Sequence, residues 1–558
     1  MHFAMKRINR FYESTVIHMF FVFVILMLNQ FVYAEQQISQ FGITWTFDRD
    51  YQVGRFANGD YWVVGPVTIV GINPPSTKIS GRTINGSMVN PSPKRGIVQG
   101  YDSAMYGKYG PHYDPRLNVA RPNDQDLSSS NPLVLKPNSS LVSTISITKP
   151  GNRPQLKTAA ILTVLNEPVP QGSFRPPYCG ADKTIRFNEN QLNYSLLKKL
   201  KPVPGVPSLA KVERYFERPW IDHVPDWTGR YHHPKDNMPD YYREISTQVG
   251  IGALMLHLNF SSQQKEKLLV RYVQMGIDFY GTVKDGSIQD RSKRKWPILF
   301  AGLVLDDTDM KNVDAPDNIS FKEDGQTFYV GDDDIYEPPY EKHNFRGFVY
   351  YGHGSENKRR DFLEYGEHHH GMPEWGIRHV LDRNRDGLDW DAPYRRCCTA
   401  NAWAGFVLAA HIMEAKDIWN HDALFDYMDR YMQVEAAQGR RGHWMRQRSR
   451  FIEDMWDFYS PQYGPVWTIS PTLNVVAVGG GSVEKNSDKA AYFLGEEVIL
   501  RAVPDVGHEF TGWSGGISGT KNPKRIIMHA NRSITANFAI SNKHPVSDLV
   551  GNKPSCEK

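Results

Sequence analysis

The hydrophobic periodicity of this chain changes twice, near residue 175 and near residue 468, and each regime buries a core in a different way. Apolar residues that alternate line one face of a sheet, whereas apolar residues three or four apart line one stripe of a helix. A chain of 558 residues is also too long for one ordinary core. The pattern predicts a multidomain protein: an all-β, sandwich-like domain over 35–175, an all-α toroid over 180–465 and a small β module over 470–540. Residues 1–34 precede them and a tail, 541–558, expected to be disordered, follows.

In the first block Ile43-Thr44-Trp45-Thr46-Phe47 alternates, and Tyr61-Trp62-Val63-Val64 and Val67-Thr68-Ile69-Val70 continue the pattern. Asn58-Gly59 and Asn85-Gly86 are turn signals between strands. In the second block Leu268, Leu269, Tyr272, Val273, Met275 and Phe279 have helical spacing, as do segments 248–260, 296–305, 400–415 and 422–437. Long loops rich in His, Asp, Pro and Gly join these helices. Paired helices with long decorated loops predict an α/α toroid around a cleft rather than a plain bundle.

The N-terminus reads as an export signal. Lys6, Arg7 and Arg10 precede an unbroken apolar run from Met19 to Leu28, and Val32-Tyr33-Ala34 puts small residues at the cleavage positions. The run is short for a membrane span, although an uncleaved anchor is the alternative, and no later segment is apolar enough to span. The mature protein is therefore expected outside the cell or at its surface. Removing residues 1–34 takes Lys6, Arg7, Arg10 and Glu13 and lowers the formal charge from +4 to +2. So small a charge excludes a general polyanion or nucleic-acid binder and leaves selectivity to local clusters. Of the four cysteines, Cys397 and Cys398 are neighbours and pair with each other only through a strained ring. Export permits disulfides, so Cys179 is expected to pair with Cys397 or Cys398.

Two clusters concentrate chemistry-bearing side chains. One runs from His343 to Arg396 through Arg346, Tyr350, Tyr351, Glu367, His368, His369, His370, Trp375, Arg378 and Tyr394-Arg395-Arg396. The other is Tyr231-His232-His233, Asn237 and Tyr241-Tyr242-Arg243-Glu244. Histidines invite a transition metal, but the His-Glu-x-x-His pattern is absent. The other chemistry is β-elimination on a uronate polymer. It needs a group to neutralise the carboxylate, a base for the C5 proton and an acid for O4. Arg forks, Tyr and His are suited to these tasks. Arg243 and Arg395 are the candidate carboxylate contacts, Tyr242 or Tyr351 the proton-transfer tyrosine, and His368 or His369 its helper. Asn237, Arg346, Glu367, Arg378, Tyr394 and Asn401 are candidate substrate contacts, and Trp375 and Trp403 candidate sugar platforms. The plainer alternative for each is a loop-anchoring hydrogen bonder. A glycoside hydrolase is a rival, because Asp306-Asp307 offers carboxylates; an inverting pair stands roughly 6.5–9.5 Å apart. No organic cofactor is indicated.

Asp382-x-Asn384-x-Asp386-Gly387-Leu388 places oxygen ligands as in the first half of a calcium loop. Pro393 replaces the closing Glu, so Asp389 or Asp391 would complete a structural Ca²⁺ site.

Two resemblances add to this reading. The run from Tyr394 through Asn401 and Trp403 to Phe406, with Glu367-His-His-His-Gly-Met-Pro-Glu-Trp375, resembles the α/α-toroid polysaccharide lyases that act on alginate or glucuronan, nearest to polysaccharide lyase family 38. That family implies a Tyr serving as both base and acid, with Arg, His and an acidic or amide group around the carboxylate; Tyr242, Tyr350, Tyr351 and Tyr394 are all open for that role. Phe510-Thr-Gly-Trp513-Ser-Gly515 and Ser533-Ile-Thr-Ala-Asn-Phe538 resemble the divergent internalin-type bacterial B-repeat. It implies a small β-grasp-like module of extracellular proteins, used as a spacer or for attachment to a surface or matrix. A third reading, a non-catalytic glycan-binding adhesin, rests on that module.

Overall fold

A computed structural model describes residues 33–104, 112–120, 126–149, 155–224, 232–237, 242–286, 294–315, 319, 321–331, 342–345, 348–351, 371–377, 380–381, 399–437, 449–464, 471–492, 496–528 and 531–541. They fall into two compact units. The first comprises 1–323, 402–420 and 449–458, and the second 324–401, 421–448 and 459–558. The chain thus passes between units more often than the sequence implied.

The first unit opens with ten strands: β1 (Tyr33–Gln40), β2 (Ile43–Arg55), β3 (Tyr61–Val64), β4 (Val67–Asn73), β5 (Thr77–Ile79), β6 (Arg82–Ile84), β7 (Ser87–Val89), β8 (Leu133–Leu135), β9 (Ser139–Ser146) and β10 (Leu156–Leu165). Eight of them form one sheet in the order β7-β9-β10-β3-β2-β4-β8, with β1 added on β2, while β5 and β6 form a separate hairpin. The expected two-sheet sandwich is therefore a single mixed sheet, in which β10 runs parallel to β3. Trp45, Phe47, Val67, Ile69, Leu141, Leu162 and Val164 share one core on one face. The opposite face of β9 and β10 is apolar too. Val142, Leu156, Ala159 and Ile161 pack with Tyr178, Cys179 and Ile221 of the segment that follows. That second face takes the place of a second sheet, and it explains why β10 is buried along nearly its whole length.

Helices follow: α1 (Leu209–Tyr215), α2 (Tyr242–Leu256), α3 (Ser262–Asp285), α4 (Lys295–Leu305) and, further along, α5 (Ala400–Ile412). Ser261 starts α3 with a capping box, its hydroxyl accepting from Gln264 N while Gln264 reaches back. A Cβ on Gly250 of α2 would stand 2.7 Å from the Gly405 Cα of α5, so only glycine permits that crossing. Trp296 and Phe406 stack on Trp419 with interplanar angles of 11° and 13°.

A buried ion triad joins the sheet to α3. Arg175 donates to Asp60 Oδ2 from Nε and to both Asp278 oxygens from Nη1 and Nη2, at 2.6–2.9 Å. Burial works against the charged guanidinium, but the two carboxylates outweigh it and hold it above its ordinary range. Asp278 is raised by the same burial, with Arg175 opposing.

His257, just past α2, is fully buried and its Nδ1 accepts from Lys198 N at 3.2 Å. Burial first, then Lys265 and Lys198, lowers its pKa from 6.5 to about 3. A base depressed on folding takes up its proton in the unfolded chain first. Stability is therefore lost as pH falls from about 6.5 toward about 3. The loss attributable to this residue should reach about 4 kcal/mol at the acid end. Urea midpoints of wild type and His257→Gln between neutral and acid pH check this: the variant should show the flatter dependence, and equal slopes would refute it.

In the second unit β11 (Thr327–Tyr329), β14 (Pro373–Ile377) and β15 (Val380–Leu381) form a small sheet beside α6 (Asp422–Ala437), and β12 (Lys342–Phe345) pairs with β13 (Phe348–Tyr351). A further helix, α7 (Arg450–Tyr463), begins in the first unit. The C-terminal module has six strands, β16 (Leu473–Val478), β17 (Gly481–Lys485), β18 (Glu496–Pro504), β19 (His508–Gly515), β20 (Lys524–Met528) and β21 (Arg532–Ile540), in two three-stranded sheets. Val498, Leu500, Trp513, Ile526, Ile534 and Phe538 fill its core. The predicted Phe-Thr-Gly-Trp strand is β19, bulged between Phe510 and Gly512 against β21. The buried Arg532 donates from Nη1 to Gly371 O and Gly516 O, both at 3.0 Å. The module is thus tied to the chain beside β14 rather than hanging from a linker.

Candidate functional site

A described group of chemistry-bearing side chains lies on the second face of the sheet, around Tyr101. Its backbone is pinned on both sides. Gln99 Oε1 accepts from Tyr101 N and Asp102 N, and Asp102 takes a bidentate pair from Arg82 at 2.8 and 2.6 Å. Gly86 N donates to Tyr101 O, and a Cβ at Gly86 would meet Gly100 O at 2.0 Å. The Asn85-Gly86 turn therefore does more than reverse the chain: its glycine admits the Tyr101 segment.

The Tyr101 ring is fully buried and faces two histidines, with ring centroids 5.7 Å from His223 and 6.3 Å from His232. Its hydroxyl has no hydrogen-bond partner among the described residues. Burial, then Cys179, raises its pKa well above the usual phenol value, so the hydroxyl stays protonated. Tyr178 stands 5.9 Å from the other side of His223, but its hydroxyl is committed, accepting from Asp222 N at 2.6 Å. Asp222 itself holds Arg294, at the entry to α4, through two hydrogen bonds. An orphan buried hydroxyl is costly unless something occupies it, so it calls for a physical explanation, a catalytic role among them.

Sequence reasoning found His232 and missed Tyr101, His223, Asp222 and Arg294. Tyr101 lies in the block read as purely structural, and no motif links it to residues more than a hundred positions away. The Gly100-Tyr101-Asp102-Ser103 loop beside a turn glycine is the only trace it leaves.

Other predicted residues resolve differently. Asn237 is buried and anchors a loop, donating from Nδ2 to Tyr215 O and Arg218 O. Arg243 donates to its neighbour Glu244 at 2.8 Å. Trp375 and Trp403, expected as sugar platforms, are both buried, and Trp375 Nε1 donates to Gln326 Oε1. Asn401, at the start of α5, is fully buried with neither side-chain atom hydrogen-bonded. Cys179 is a free thiol, 3.3 Å from Thr282 Oγ1 and pushed up to about 12 by burial, rather than half of the expected disulfide. The core of the second sheet face encloses it. Asp306 is the exposed left-handed cap of α4, and Asp307 caps the next turn by accepting from Met310 N. Tyr242 and Tyr351 lie on α2 and β13, with side chains outside the described residues. His368, His369, Arg395, Arg346, Glu367, Arg378, Tyr394, Cys397 and Cys398 lie outside them entirely, as do Asp382, Asn384, Asp386, Leu388, Asp389, Asp391 and the tail 542–558.

Among the described residues no group of three or more His, Cys, Asp or Glu is placed to hold a metal ion, and no helix is long and apolar enough to cross a membrane.

Residues 471–542 match the family model of the divergent InlB B-repeat domain. The B-repeat spans all six strands of the C-terminal module, and its presence fits an extracellular or cell-surface protein. No curated protein and no solved structure matches the chain.

Proposed function

We propose that the chain is a secreted polysaccharide lyase that cleaves a uronate-containing polymer of the alginate or glucuronan type by β-elimination, with its helices arranged as an α/α toroid. The observation that carries the reading is the Tyr101 hydroxyl, buried and without a hydrogen-bond partner among the described residues, beside His223 and His232. In the reaction the C5–H bond breaks, its electrons form the C4=C5 double bond, and the C4–O bond breaks as the departing oxygen takes a proton. A tyrosine held in its protonated form is suited to that last step. His232 or His223 is then the base at C5. Arg243 and Arg395 are the proposed carboxylate contacts; Tyr242 or Tyr351, with His368 or His369 as helper, is the alternative proposal for the proton-transfer tyrosine. A Ca²⁺ held by the Asp382–Asp391 loop is part of the same proposal as a structural ion. The B-repeat supports attachment to a surface or matrix while the polymer is cut.

The test incubates the mature protein with alginate, glucuronan and neutral glycans, following ultraviolet absorbance of the unsaturated product alongside new reducing ends. Both should rise on a uronate polymer only. Reducing ends without absorbance would replace the lyase with a hydrolase. Binding without either would leave a glycan-binding surface protein, the reading that the B-repeat favours by itself.

A further inference from the structure

Cys179 also lines a second space, a cavity of about 250 Å³ formed by the Phe174–Phe187 segment and the C-terminal half of α3. Its wall is built to stay in place. Lys183 Nζ, nearly fully buried, donates to the carbonyls of Pro177, Tyr178, Cys179 and Gly180 at 2.7–3.4 Å, which fixes that turn. Gly180 has φ +66°, and a Cβ there would press on Asp285 Oδ1 at 2.8 Å.

Three features of the lining define a ligand. Among the described residues, Asp285 Oδ2 is buried without a hydrogen-bond partner, while Oδ1 has only Lys94 Nζ at 3.4 Å. It is an acceptor awaiting a donor such as a sugar hydroxyl. Two rim cations are held by exposed, weak pairs: Arg186 by Asp182 at 2.9 Å, and Lys284 by Asp309 at 3.8 Å. Such pairs are worth little, so both cations can turn to a ligand carboxylate. Tyr280 supplies a half-buried ring, with Lys284 Nζ 5.2 Å from its centroid, and Phe187 a second apolar face. A hydroxyl acceptor, two movable cations and flat apolar faces together suit a sugar acid.

We infer that this cavity is a second binding site, separate from the Tyr101 residues, for a uronate residue of an acidic polysaccharide. The choice of a uronate polymer rests on the proposed β-elimination; the acidic-sugar chemistry of the lining does not. Occupancy would hold the polymer against the first unit whether or not a bond is cut.

The test is calorimetric titration of the full chain with a β-1,4-linked glucuronate trisaccharide and with the neutral glucose trisaccharide of the same linkage. It uses the Tyr101→Phe background, so that the ligand is not consumed. The acidic trisaccharide should bind and the neutral one should bind more weakly. Arg186→Ala with Lys284→Ala, both at the exposed rim, should weaken the acidic ligand about tenfold or more. Asp285→Asn should weaken it as well. Equal affinity for the two trisaccharides, no binding of either, or unchanged affinity in the rim variants would each overturn the site. Product absorbance is read in parallel on the wild-type chain. No absorbance with rim-dependent binding retained would remove the lyase reading and leave the site standing.

Discussion

Tyr101→Phe should lower the rate of β-elimination by roughly 10²–10⁴-fold, the usual worth of a positioned proton donor, and leave the fold intact. The dissociation follows from what the hydroxyl does in the resting protein. It is buried and has no hydrogen-bond partner among the described residues, so deleting it removes a desolvated polar group and no described hydrogen bond. Stability should stay level or rise by about 1 kcal/mol. The ring, with its packing against Met88, Val142, Ile161 and Tyr178, is retained. Initial rates of product absorbance on glucuronan and a thermal melt of the same preparation check both halves. An unchanged rate would make Tyr101 a core residue and sink its catalytic role. A large fall in melting temperature would show that the hydroxyl has a structural partner after all.

Arg175→Met should destabilise the first unit by about 3–5 kcal/mol, the cost of breaking a buried charge group from one side. The substitution leaves Asp60 and Asp278 fully buried and removes the cation in direct contact with both, while Arg271 and Lys183 act on them only from further away. Gln274 also exchanges two hydrogen bonds with the Arg175 backbone, and these persist in the variant, so the loss isolates the guanidinium. Adding Asp60→Asn and Asp278→Asn to Arg175→Met removes the orphaned charges and should recover a large part of the loss. Urea unfolding of the single and triple variants reads the difference. If the triple variant were no more stable than the single one, the charge argument would fail and packing alone would explain the effect. The same triad locks α3 to the hairpin that carries Asp60, which keeps the second face of the sheet in register with the segment bearing Tyr178 and Cys179.

Much of the architecture was legible in the sequence because local periodicity reports local structure. Leu268 to Phe279 marked α3, Ile43 to Phe47 marked β2, and the Phe510–Gly515 run marked the B-repeat strand β19. The sandwich was not legible. β9 and β10 do not alternate: both faces are buried, and the sequence does not say whether a sheet or a helical segment covers the second one. The aromatic candidates failed for a related reason. Trp375 follows a run of His and Glu in sequence, yet in space it packs inward, because a neighbour along a strand points to the other face, and Trp403 is buried within a helix of small and apolar residues.

What the sequence determined by itself is the change of regime at residues 175 and 468, the helices between, the B-repeat and the richness in His, Tyr and Arg. Each is written in residues close together along the chain. Only the tertiary structure decided that Tyr101 from the β-rich block meets His223 and His232 from the loops beyond it, that Cys179 is enclosed as a free thiol, and that Arg532 ties the repeat to Gly371. These contacts join residues more than a hundred positions apart, apart from the enclosure of Cys179, which is itself a product of packing. Burial and hydrogen bonding between distant segments are properties of the folded chain, and no pattern within either segment encodes them.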